Sequence, residues 1–199
     1  MPRGVVIPEL RQQLFAAAER VIARSGPSRL TGRAVTREAG VATGLLHAHF
    51  ANFDDFLAGY AIDRAFQMSG EVAGLPELAG SGTVAGNLSR AILATPTGTL
   101  LALTQLMVFR PELAAKVEQV LGGGTAGLQA VERAIAGYLA AEQQLGRVPA
   151  GADIEALALS VVAVLHHVAL TGGTEPAAAT RIQRAIGALT AGFPAAAPS

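Results

Sequence analysis

The chain of 199 residues contains no cysteine. Disulfide bonds and thiolate metal centres are therefore excluded, and cysteine usage fixes no redox compartment. Charge is also scarce, at 15% of residues against 51% hydrophobic. That leaves ample material for a core and excludes global disorder. Lysine is almost missing: Lys116 is the only one, an arginine bias that points to a GC-rich genome. Before Pro8 and Glu9 the chain offers just Val5-Val6-Ile7 as an apolar run, too short for a signal-peptide core. No stretch alternates apolar and polar residues between turn signals, so no sheet is expected. No serine sits in a nucleophile elbow and no Ser/His/acid set is legible, so the chain is not expected to be an enzyme. No cofactor is expected either. Gly80-Ser81-Gly82 and Gly122-Gly123-Gly124 follow no strand, as a phosphate-binding turn would, and His47-x-His49 lacks a third metal ligand at a natural spacing.

Two windows of 19 residues, Ala91–Phe109 and Ala156–Thr174, hold no Asp, Glu, Lys or Arg. Either could be misread as a membrane span. Pro96-Thr97-Gly98 interrupts the first, however, and His166 and His167 lie inside the second. Both are expected to be buried helices of a soluble, cytoplasmic bundle with no membrane partner.

What the sequence does contain is helical. Leu10, Leu14, Phe15, Ala18, Val21 and Ile22 form an apolar stripe that begins after Pro8 and stops at Ser25-Gly26-Pro27, the pattern of an amphipathic helix. Thr31 is placed to cap a second helix ending at Gly40, Thr43 to begin a third, and Asn52 to cap a fourth running to about Ser69. After a glycine-rich loop over 74–82, helices are expected near 83–94, 97–109, 111–121, 125–145, 153–171 and 176–192. The tail from Pro194 to Ser199 is expected to fray.

Between Leu30 and Leu57 the chain reads as two short helices joined at Gly40, then another. Val35 and Ala39 share one helical face, Leu46 and Phe50 another, and Gly40 supplies the left-handed backbone of a sharp corner. The outward face of the second helix then carries Thr43, Gly44, Leu45, His47 and His49. A small, polar, uncharged-to-basic face suits the floor of a DNA major groove. Charge distribution agrees. Residues 1–50 carry seven arginines against three glutamates, and the rest of the chain has a matching acidic excess, as when one end meets phosphates.

The run Val35-Thr36-Arg37-Glu38-Ala39-Gly40-Val41-Ala42-Thr43-Gly44-Leu45-Leu46-His47-Ala48-His49-Phe50, with its flanking helices over residues 8–57, resembles the DNA-binding domain of the TetR family of transcriptional regulators. The Leu145-Gly146-Arg147 turn followed by Asp153 is a further family-like feature. The resemblance implies an all-α fold: an N-terminal three-helix DNA-binding domain with the helix-turn-helix over 1–52, then a larger helical ligand-binding and dimerisation domain over 53–199. It implies that Arg33, Thr43, Gly44 and Leu45 face base edges, while Thr31, His47 and His49 face phosphates. Arg33 has the fork for guanine, and Leu45 a methyl surface for thymine. Three positions depart from the family pattern. Thr36 replaces a common alanine and can bond back to its own helix; His47 replaces a phosphate-contacting tyrosine; Phe53 replaces a lysine and loses a cationic contact.

The remaining segments are expected to sense and to dimerise. Leu88, Ile92, Leu100, Leu106 and the residues Phe66, Asn87, Leu103, Gln105, Met107, Phe109, Tyr138 and His166 are expected to shape a largely apolar cavity, with Thr104 and the polar members orienting a ligand. The last two helices carry small and branched apolar residues on more than one face, which a second copy would cover as a four-helix bundle. The expected partners are thus a double-stranded DNA operator, a small-molecule effector and a homodimer mate. Two other possibilities remain open: a helical small-molecule-binding protein that never meets DNA, and a regulator that senses nothing.

Overall fold

The computed structural model describes residues 7–122, 127–172 and 175–194. Among them run ten α-helices and no strand: α1 Ile7–Ser25, α2 Gly32–Ala39, α3 Gly44–His49, α4 Phe53–Val72, α5 Val84–Ala94, α6 Thr97–Phe109, α7 Pro111–Leu121, α8 Gly127–Gln144, α9 Ile154–Thr171 and α10 Glu175–Leu189. The starts obey local capping chemistry. The Thr31 hydroxyl accepts from the amide of Ala34, Asn52 from Asp55, Thr83 from Gly86 and Asp153 from Ala156, each satisfying one of the orphan amides of a first turn. The all-helical expectation holds, and α10 stops at Leu189, short of 192. Arg3, the Val5-Val6 pair, the last two glycines of 122–124 and the tail beyond Pro194 lie outside the described residues.

The chain divides into two compact units, residues 1–64 with 101–123, and residues 65–100 with 124–199. Residues 1–52, the expected helix-turn-helix domain, fall within the first unit together with the start of α4. The reason is packing on α4: Phe56, Leu57 and Tyr60 are fully buried, and Phe15 of α1 meets Phe50, Phe56 and Tyr60 at ring-centroid distances of 5.9, 5.6 and 5.9 Å. A Cβ at Gly59 would lie 3.3 Å from the Phe50 ring, so glycine lets α4 come close there. Arg64, buried among these rings, donates to Glu19 and Asp63 at 2.7 Å each. At the start of α4, Asp54 accepts from Arg110 at 2.7 Å and Asp55 pairs with Lys116, which brings residues 101–123 into the same unit.

The second unit is aliphatic. Leu88, Ile92, Val131, Ile135, Leu139, Val161, Leu165, Ile182 and Ile186 are buried. Its core holds a polar cluster: Asn87 donates to the Tyr138 hydroxyl at 3.0 Å, and the fully buried Glu142 carboxylate lies 3.0 Å from Arg147 Nε. That approach is a charge contact without the alignment of a hydrogen bond. Arg147 also donates to the carbonyls of Ser81 and Gly82. Burial first, and then the nearby Glu142, push the Tyr138 phenol up to about 12.

By length and composition α9 could cross a membrane, with a mean hydropathy of 1.8, while α5 and α6 bend by 61° at their break. Only a third of α9 is buried within the chain, which leaves apolar surface of the kind expected on the last two helices. Leu159 and Leu170 are 56% and 49% exposed.

Candidate nucleic-acid interface

The corner between α2 and α3 is built on Gly40, at φ 70° and ψ 27°. A side chain there would be strained by the left-handed backbone itself, since nothing crowds the position. The Gly40 amide bonds the carbonyl of Arg37 and the Val41 amide that of Thr36, closing α2. Gln13 of α1 donates to the Ala39 carbonyl at 2.8 Å, fixing the end of α2 from outside. Val35, Ala39, Leu46 and Phe50 are buried, as the sequence pattern requires.

That anchoring decides what α3 presents. With only six residues it is too short to be stable alone, and burial of Leu46 orients it. Thr43, Gly44 and His47 are exposed, Leu45 is 38% exposed and His49 is half-buried. The Thr43 side chain makes no cap hydrogen bond, so its hydroxyl is left for a partner. Thr31 and Arg33 are exposed at the start of α2. All seven residues expected to meet DNA therefore belong to one unit and one stretch of chain, none of them fully buried.

The three departures have visible consequences. Thr36 is buried and its hydroxyl donates to the carbonyls of Gly32 and Arg33 at 3.0 and 3.3 Å, back into its own helix as expected. Phe53 stacks on Phe56 at 5.6 Å, and a Cβ added at Gly32 would lie 3.6 Å from its ring, so an aromatic buttress stands where the family pattern has a surface cation. His47 remains exposed.

The surface beside α2 is rich in arginine. Arg20 and Arg24 both donate to Glu38, at 2.9 and 2.6 Å. Arg24 first, and then Arg20, hold the Glu38 carboxyl below its usual range. Arg29 and Arg37 are exposed nearby. Sequence alone assigns no individual role to Arg24 or Arg29, although Arg20/Arg24 in α1 and Arg33/Arg37 in α2 are each four residues apart, a spacing that puts charges on one face.

The expected ligand residues are spread over both units. Leu103, Gln105, Met107 and Phe109 fall in the first, and Phe66, Asn87, Tyr138 and His166 in the second. Asn87 and Tyr138 are fully buried and bonded to each other. Asn87 also borders a hollow of about 290 Å³ with Leu75, Leu78 and Ala91. Leu103 is buried and Gln105, Met107 and His166 are partly so. Phe66 and Phe109 stand at the surface of the single chain, 55% and 49% exposed. Of the supporting apolar set, Leu88, Ile92, Leu100 and Leu106 are closed core.

Residues 14–59 match the family model of bacterial regulatory proteins, tetR family. An uncharacterised HTH-type transcriptional regulator of Haemophilus influenzae is 37% identical over 60 residues, 30% of this chain and 32% of its own length; the match thus spans about a third of that relative. Solved structures share the fold along nearly the whole chain. The regulator FadR from Bacillus subtilis, in complex with stearoyl-CoA, superposes with a TM-score of 0.68 at 20% identity, covering 91% of this chain and 98% of that one. The fatty acid degradation regulator FadR from Bacillus halodurans gives 0.69 at 18% identity, covering 96% and 98%. SmeT, repressor of a Stenotrophomonas maltophilia multidrug efflux pump, gives 0.62 at 20% identity, covering 92% and 89%.

Proposed function

The chain belongs to the TetR family of bacterial regulatory proteins, and on that premise we propose that it is a cytoplasmic repressor that binds a palindromic operator as a homodimer and leaves it when a small, largely apolar effector is bound. The observation that carries this is the solvent-facing row Thr43, Gly44, Leu45 and His47, held outward by buried Leu46 and the Gly40 corner. Thr43, Gly44, Leu45 and Arg33 are assigned to base edges, and Thr31, His47 and His49 to phosphates. The exposed apolar side chains of α9, with α10 beside it, are assigned to the dimer mate. A two-fold pair would set two reading helices about 34–36 Å apart or at a multiple of that spacing.

Support for an apolar effector comes from the scarcity of charge in α6, from Thr97 to Phe109, and from a structural relative that holds stearoyl-CoA. Phe66, Asn87, Leu103, Gln105, Met107, Phe109, Tyr138 and His166 are the positions proposed to respond to it. A change in operator affinity of roughly 5- to 150-fold would need a coupling of only about 1–3 kcal/mol.

The test begins by selecting bound fragments from a random duplex pool. The selected fragments should converge on an inverted repeat, and binding should fall with Thr43→Val or His47→Ala. Apolar metabolites are then screened for release. A pool that never converges would overturn the regulator assignment, and unchanged affinity with every ligand would overturn the effector response. One observation favours a regulator that does not sense: Asn87 and Tyr138, both buried, already hydrogen-bond each other.

A further inference from the structure

Beside the helix-turn-helix, a groove of about 500 Å³ opens between the last turns of α1, the Pro27–Arg29 turn and the start of α2. Four arginines line it: Arg24, Arg29, Arg33 and Arg37. Of these four, Arg24 meets a carboxylate, the one it shares with Arg20 on Glu38. Among the described residues, Arg29, Arg33 and Arg37 have no acidic side chain in the groove lining beside them. Three guanidinium groups without a countercharge in its lining make the groove electropositive, which favours an anion there.

We propose that this groove holds the sugar-phosphate backbone of the duplex that α3 reads, with Arg29 and Arg37 as phosphate contacts and Glu38 limiting how much charge the groove offers. The proposal deepens the DNA-binding assignment and rests on it. Three features of the surface favour a duplex backbone. The groove is open, and at about 500 Å³ it is roomier than a single small anion needs. Two of its residues, Thr31 and Arg33, are already assigned to DNA. Its cations are arginines, whose planar forks match phosphate oxygens in pairs. The Ser25 and Ser28 hydroxyls in the same lining add uncharged donors of the kind that phosphate oxygens accept. Glu38 ties back Arg20 and Arg24, so the groove is tuned below its full charge. Such a surface fixes register along the duplex and carries no sequence information of its own.

The experiment measures affinity for a mixed-sequence duplex against salt concentration, using the full chain. Removing one phosphate partner should flatten the slope of log affinity on log salt by about 0.9. Arg29→Gln and Arg37→Gln should each do so and weaken binding several-fold at low salt, equally on any sequence. Glu38→Gln should act in the opposite direction, with tighter binding and a steeper slope, a gain that a merely structural role would not produce. Arg133→Gln, an exposed arginine of α8, is the control for net charge and should change nothing. If the parent binds duplex with a steep salt slope while the Arg29→Gln/Arg37→Gln double variant matches it, the groove assignment fails and the reading helix stands. If the variants weaken only a selected operator, the two arginines read bases and the backbone assignment is overturned. If the parent binds no duplex at all, both assignments fall together.

Discussion

In the unit that carries the helix-turn-helix, Phe15, Phe50, Phe56 and Tyr60 meet at centroid distances of 5.2–5.9 Å, with guanidinium groups of Arg11 and Arg64 over their faces. In the other unit the described residues make no ring pair; its interior is mostly branched and small aliphatic chains, with a polar cluster among them. The difference matches the tasks proposed for the two. A reading head needs helices held at fixed angles, and flat rings with few rotatable bonds fix angles well. Aliphatic packing tolerates rearrangement at small cost, which suits a body that must accommodate something.

The contrast can be broken first at its aromatic centre. Phe15→Ala should cost about 4 kcal/mol in denaturant unfolding and abolish duplex binding, since α3 has no stability apart from that cluster. A loss under about 1 kcal/mol would mean that the rings are incidental.

The next largest effect should come from the polar cluster of the second unit. Arg147→Ala leaves the Glu142 carboxylate buried without a countercharge and should cost about 3 kcal/mol. The double replacement Glu142→Leu with Arg147→Met should recover part of that loss, because two buried charges then disappear together. Stability of the single variant equal to the parent would show that solvent reaches Glu142.

The smallest and sharpest comparison uses the two tyrosines, one in each unit. Burial first, and then Glu19, push the Tyr60 phenol above its ordinary range; Tyr138 reaches about 12. A phenol raised on folding contributes stability that is complete below its unfolded value of about 10 and is lost as pH climbs through the folded value. Near-ultraviolet absorbance should therefore show no phenolate at about pH 10 in the folded chain. Above that, both phenols should ionise together with unfolding. A smooth titration around 10 in the folded protein would place at least one tyrosine in water, and Tyr138→Phe would say which.

Much of this architecture is legible in the sequence because it is local. The Gly40 corner, the Thr31 and Asn52 caps, the Pro96 break and the buried pairs Val35/Ala39 and Leu46/Phe50 each follow from residues within a few positions. What stays hidden lies far apart in the chain. Arg64 finds Glu19 across 45 residues, and Asn87 finds Tyr138 across 51. No periodicity announces such partners. In the sequence Phe53 shows only as a missing lysine; its stacking on Phe56 appears only in the fold. Glu142 and Arg147 are close in sequence, yet nothing local says that a glutamate so near an arginine will be wholly buried. Arginine repeats over 20–37 carry a usable signal in their four-residue spacing.

The pairing of Lys116 with Asp55 has a practical side. It is the only side-chain amine in the chain, and it sits against the first turn of the helix that follows the reading head. A dye attached there by amine chemistry would cancel its charge and release Asp55. It would also sit where any shift at the root of α4 alters its surroundings, giving an optical gauge of that helix without introducing a foreign residue.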